Sequence, residues 1–187
     1  MYLCAKAFFM LLKYFLESTG VSTDSRSVNT GNIFFALKGE TFDGNQYIGT
    51  ALEKGASFCV SDDITHLNSP DVRIIYVQDV LTALQNLAKE YRRFVNKPVI
   101  SLTGSNGKTT TKELINAVLK KKYKVHCTKG NFNNHIGVPL TILSSPADID
   151  FMLIEMGANH QGEIHTLCTI AEPDYGLITN VGKAHLE

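Results

Sequence analysis

The chain has 187 residues, with 18 lysines and arginines against 18 aspartates and glutamates and 44% hydrophobic residues, enough for one generous core or two small ones. A net charge of zero excludes a nucleic-acid binder that relies on neutralising a phosphate backbone, but leaves room for a specific site for a small anion. The four widely spaced cysteines (Cys4, Cys59, Cys127 and Cys168) match neither a disulfide-dense scaffold nor a zinc knuckle, so they are read as reduced thiols of a cytoplasmic protein.

The first sixteen residues are apolar but carry Lys6 and Lys13, with Glu17 directly after them, and are too short to span a membrane. Phe8, Leu11, Leu12, Phe15 and Leu16 recur at helical spacing, which predicts an amphipathic first helix rather than a signal peptide or anchor. Short strand-like runs follow at 32–39, 57–62 and 73–79. Asp79 then reads as the N-cap of a helix carrying Leu84, Leu87, Ala88, Tyr91 and Val95 on one stripe, and Pro98 ends it. Asn96, Lys97 and Pro98 are taken as the joint between two domains, 1–96 and 97–187.

The second block opens on the buried-strand run 99–103 and passes through a glycine-punctuated turn into a helix over 108–122, whose expected buried stripe is Leu114, Ile115, Val118 and Leu119. Strand-like runs at 124–128, 150–156 and 175–181 alternate with segments that suit helices, such as 162–172. The fold class expected is therefore α/β: a small N-terminal α/β domain, then an incomplete parallel-sheet domain of the phosphate-loop type.

The strongest chemical signal is Thr103-Gly104-Ser105-Asn106-Gly107-Lys108-Thr109-Thr110, lying between a strand and a helix. Glycines let backbone N–H groups converge on phosphate oxygens, and the helix N-terminus adds partial positive charge. Lys108 is expected to reach the β- and γ-phosphates and the Thr109 hydroxyl to ligate Mg²⁺. Leu102 stands where the usual pattern has its first glycine, so the loop is a shortened variant. Glu155, at the carboxyl end of its strand beside Gly157, is the second candidate magnesium ligand. His185, in a loop after the last strand, is a third candidate, against the plainer reading of a solvated histidine.

Together these motifs resemble the Mur ligases, the ATP-dependent amide-forming enzymes of peptidoglycan precursor synthesis. The resemblance rests on the TG-x-x-GKT loop at 103–109, the segments 22–39, 130–143 and 154–164, and the ending at 178–187, with the branch that adds D-alanyl-D-alanine the nearest match. It implies that the first domain binds the UDP end of UDP-N-acetylmuramoyl-tripeptide, with Ser25 and Arg26 at the diphosphate and Phe34, Ala36 and Leu37 shaping the wall. It further implies that Asn133, Asn134 and His135 face the muramoyl-peptide portion. Gly104, Ser105, Asn106, Gly107, Lys108, Thr109 and Thr110 would bind ATP, Glu155 and His185 become expected Mg²⁺ ligands, and the enzyme would act as a cytoplasmic monomer.

Family members run to more than twice this length, so the resemblance also implies that 187 residues hold only part of the central domain and do not ligate alone. An exposed, aggregation-prone sheet edge is expected as well. The alternatives are a non-catalytic UDP-sugar or nucleotide-binding fragment, or another member of the family. A GTPase switch is disfavoured because the only Asn-Lys pair, Asn96-Lys97, precedes the loop, and a metal site on His160 and His165 because their spacing turns them apart on a helix.

Overall fold

The computed structural model describes residues 2–182, and side chains from residue 10 onward; Phe8 as a side chain, and His185 entirely, lie outside the described residues. The chain divides into two compact units, 1–87 and 88–187. The division falls inside a helix rather than at the expected Asn96-Lys97-Pro98 joint.

The first unit begins with α1 (Tyr2–Glu17), on which Leu11 and Phe15 are buried while Leu16 is exposed. Its sheet is formed by β1 (Val21–Ser22), β2 (Ile33–Phe35), β3 (Phe58–Ser61) and β4 (Ile74–Tyr76), all parallel and ordered as in the chain. Between β2 and β3 runs α2 (Ile48–Glu53). Every residue of β2 is buried, as an interior parallel strand covered on both faces requires. Phe34, Ala36, Ile48, Ala51 and Cys59 form one apolar cluster there. Burial in it pushes the Cys59 thiol up to about 12.

Helix α3 (Val80–Val95) starts where expected, with Asp79 Oδ1 accepting from the Thr82 N–H at 2.6 Å. Its predicted stripe, Leu84, Leu87, Ala88, Tyr91 and Val95, is buried throughout. It stops at Asn96, which takes up a left-handed φ of 48° before Pro98. Its second half belongs with the second unit because the buried Arg92 donates to the carbonyls of Ala171 and Glu172 and to Asp174 Oδ2.

The second unit contains β5 (Val99–Thr103), α4 (Lys108–Leu119), β6 (Val125–Cys127), α5 (Gly137–Leu143), β7 (Phe151–Glu155), α6 (Glu163–Ala171) and β8 (Tyr175–Ile178). Its sheet is parallel with the order β6-β7-β5-β8. The chain builds to one side of β5 and then crosses to the other, so a topological switch point lies at the carboxyl end of β5, where ligands of such sheets collect. Both units bear out the α/β class with parallel sheets. Among the described residues no helix is long and apolar enough to cross a membrane.

One expectation fails here. Leu114 and Val118 are exposed, Ile115 and Leu119 are half-buried, and the fully buried side chain of α4 is Lys112. The helix turns the face carrying Lys108, Lys112, Ile115 and Leu119 inward; Leu114 and Val118 fall on the other side of the 3.6-residue period. At the far edge, all four residues of β8 are exposed, in keeping with the expected open edge.

Candidate functional site

The register of the second sheet decides what meets at its carboxyl edge. Leu102 pairs with Glu155 and Thr103 with Ile178, so the turn after β5 is flanked by the end of β7 on one side and the segment after β8 on the other. That turn is the glycine-punctuated loop, and Gly107 enters α4 at a left-handed φ of 77°. The first helical bond of α4 runs from the Thr111 N–H to the Gly107 carbonyl, so the amides of Lys108, Thr109 and Thr110 precede it and point out of the helix end. Lys108 Nζ folds back over the loop onto the Gly104 carbonyl at 2.6 Å.

Glu155 is nearly fully buried at the end of β7. Its Oε1 accepts from Thr109 Oγ1 at 3.3 Å and from Asn133 Nδ2 at 3.0 Å. Its Oε2 is buried without a hydrogen bond, facing Lys112 Nζ at 3.7 Å. Lys112 in turn donates to the Thr128 carbonyl at 2.8 Å and pairs with Glu113 at 3.2 Å. The Thr128 hydroxyl accepts from the Glu155 N–H at 3.0 Å, which fixes the carboxylate's backbone. The two carboxylate oxygens are thus used differently: Oε1 meets the Thr109 hydroxyl on the first turn of α4, and Oε2 faces the Lys112 ammonium without a hydrogen bond.

Thr109, Glu155 and Asn133 are therefore brought together. Asn134 is not part of that cluster: its Oδ1 accepts from the N–H groups of Ile136 and Gly137 and organises the start of α5. His135 is exposed on the same loop. The amides of Ser105 and Asn106 do not point freely into the loop, since they donate to the Asn180 carbonyl at 3.2 Å and to Asn180 Oδ1 at 3.0 Å. Among the described residues no three His, Cys, Asp or Glu side chains gather into a metal cluster, and none forms on His160 and His165.

A second concavity of about 470 Å³ lies in the first unit, lined by Thr23, Asp24, Ser25, Arg26, Phe34, Phe42, Gly44 and Tyr47. Arg26 clasps Asp24 with Nε and Nη2, the latter at 2.7 Å, and its own N–H also donates to Asp24 Oδ1. These bonds hold the Asp24 carboxyl down to about 2. Ser25, Arg26 and Phe34 line the concavity. Ala36 and Leu37 are buried and lie behind it, against Gly44, where a Cβ would overlap their backbone.

Sequence reasoning missed Phe42, Tyr47, Lys112, Thr128, Thr179 and Asn180. Lys112 carried a usable signal, because it lies one turn beyond Lys108 on the same helix face. The pairing of Asn180 with the loop depends on strand order and had no local signal.

Comparison with known proteins decides the family. Residues 17–92 match the model of the Mur ligase family catalytic domain, and residues 102–187 that of the Mur ligase middle domain. The chain belongs to the Mur ligase family. Among its Mur ligase relatives are the UDP-N-acetylmuramoyl-tripeptide–D-alanyl-D-alanine ligases of Bacillus subtilis, 46% identical over 168 residues and 90% of this chain, and of Synechocystis, 46% identical over 171 residues and 91% of this chain. The chain spans 37% and 38% of the lengths of those two relatives. A solved MurF ligase from Thermotoga maritima, in complex with ADP, is similar with a TM-score of 0.83 and 38% identity, over 92% of this chain and 40% of that one. A MurF crystal structure from Acinetobacter baumannii gives 0.81 and 36% identity, over 89% of this chain and 36% of that one.

Proposed function

We propose that this chain supplies the UDP-substrate-binding domain and part of the nucleotide-binding domain of an ATP-dependent ligase that joins D-alanyl-D-alanine to UDP-N-acetylmuramoyl-tripeptide. The observation that carries the reading is the convergence of Thr109, Asn133 and Glu155 at the amino end of α4, beside Lys108. Similarity to the named ligases supplies the substrate class.

A carboxylate has no leaving group, so amide formation in water requires activation. In the proposed reaction the terminal carboxylate of the tripeptide attacks the γ-phosphorus of ATP, ADP departs and an acyl phosphate forms. The amine of D-alanyl-D-alanine then adds to the acyl carbon, loses a proton and expels phosphate. Lys108, released from the Gly104 carbonyl, counters charge on the β- and γ-phosphates, and the first-turn amides of α4 bind the same oxygens. Thr109 and Glu155 would hold Mg²⁺, whose charge offsets that of the phosphates. Asn133 orients Glu155 through its side-chain amide. In the first unit, Ser25 and the Arg26 guanidinium would receive the diphosphate of the UDP moiety at the mouth of the aromatic-lined concavity.

The test measures MgADP and UDP-N-acetylmuramoyl-tripeptide binding separately on one sample by calorimetry. Both are expected to bind, and Lys108→Ala is expected to weaken MgADP at least about tenfold, the scale of one charged phosphate contact, while leaving the UDP ligand unchanged. Binding of the UDP ligand alone would favour a UDP-sugar module without nucleotide chemistry. Phosphate release that requires ATP, the UDP-tripeptide and the dipeptide together is expected of a whole ligase and not of these 187 residues alone.

A further inference from the structure

The glycine-punctuated loop is held from outside as well as from within. Beyond the two amides given to Asn180, the Thr179 hydroxyl donates to the Asn106 carbonyl at 2.6 Å. Ser105 Oγ donates to the Gly182 carbonyl at 3.0 Å and accepts from the Gly182 N–H at 2.9 Å. The approach is so close that a Cβ on Gly104, itself at a φ of 141°, would overlap Thr179 Oγ1 and crowd the Asn180 backbone. Gly104 is thus required by the neighbouring segment, and not only by an incoming phosphate.

This arrangement splits the loop into two halves. The N–H groups of Ser105 and Asn106 are already spent on protein acceptors, whereas those of Lys108, Thr109 and Thr110 are not taken by the helix. We infer that Thr179 and Asn180 are positioning residues for anion binding. They pin the Ser105–Asn106 half of the loop and leave the amides from Gly107 to Thr110 as the half that receives phosphate oxygens. The inference rests on the nucleotide reading above and adds the residues that preset the loop. A loop ordered before the ligand arrives spares the ligand that ordering cost, so cutting the staple should show as lost affinity.

The test compares wild type, Thr179→Val, Thr179→Ser and Lys108→Ala in the full 187-residue chain. Amide hydrogen exchange at Ser105 and Asn106 is read without nucleotide, and MgADP affinity by calorimetry. Thr179→Val should speed exchange at those two amides about tenfold and weaken MgADP about tenfold, as expected for one short hydrogen bond and the order it imposes. Thr179→Ser, which keeps the hydroxyl, should restore both to within about twofold of wild type. Wild-type affinity in Thr179→Val with binding lost in Lys108→Ala overturns the inference alone. Undiminished binding in Lys108→Ala overturns the nucleotide reading and the inference with it. Exchange that rises throughout β5, β7 and β8 would show a merely structural role and also overturns it. Should Thr179→Val not fold, Ser105→Ala cuts the two Gly182 bonds at a half-exposed position and carries the same comparison, with about threefold effects.

Discussion

The two units keep their candidate ligand-binding charges in opposite surroundings. In the first, the side chains of Arg26 and Asp24 are 88% and 43% exposed and pair on a surface turn. In the second, those of Lys112 and Glu155 are 1% and 3% exposed. An exposed pair contributes little to stability and exchanges partners at little cost, which suits the diphosphate role proposed for Arg26. A buried pair carries a large desolvation penalty, and either member alone is worse than both. Charge in the first unit is therefore a hand held out to solvent, while charge in the second is part of the frame that aims a carboxylate.

The sharpest way to break this comparison is Lys112→Met, which keeps the stem and removes the charge. It should destabilise the second unit by about 4 kcal/mol, the cost of stranding a buried carboxylate, seen as a lower urea midpoint. Adding Glu155→Gln should return much of the loss; an unchanged midpoint for Lys112→Met alone would show that the buried charge is no part of the frame. Next in size is Phe34→Ala in the first unit, where a wall residue is also core. A loss of about 3 kcal/mol is expected with weakened UDP-ligand binding, because the ring fills both roles. Asp79→Ala removes the cap of α3 and should cost about 1 kcal/mol by the same measurement.

The smallest effect sharpens the exposed side of the comparison. Arg26→Met should leave the urea midpoint unchanged but release the Asp24 carboxyl from about 2 toward its ordinary 3.8, followed by carbon NMR titration. The sign follows from a depressed folded value: whatever the pair contributes is present above the ordinary carboxylate range and lost as pH falls through about 2. Around neutrality this pair therefore adds no pH dependence to stability.

Much of the second site was legible because it is local. The loop between a strand and a helix, Thr109 on the first turn and Glu155 at a strand end are all set by short-range pattern, and the structure places them together. The α3 stripe was legible for the same reason, since only one face of that helix is apolar. Helix α4 was misread because the stripe expected from periodicity straddles two faces, with Ile115 and Leu119 on the inward one and Leu114 and Val118 toward solvent. The inward face is chosen by Lys112, whose burial is tolerated only because Thr128 and Glu155 meet it, and no local rule foresees a partner from another strand. The Asn134 cap and the Thr179–Asn180 staple escaped similarly: each is a polar side chain whose use depends on which backbone the fold brings within reach.

Cys59 offers a practical handle on the first unit. Sealed inside the apolar cluster and scarcely ionised at neutral pH, its sulfur cannot meet an alkylating reagent until the strands around it part. Peptide mapping of that one thiol over time would clock the opening of the first sheet, independently of any ligand or enzymatic assay.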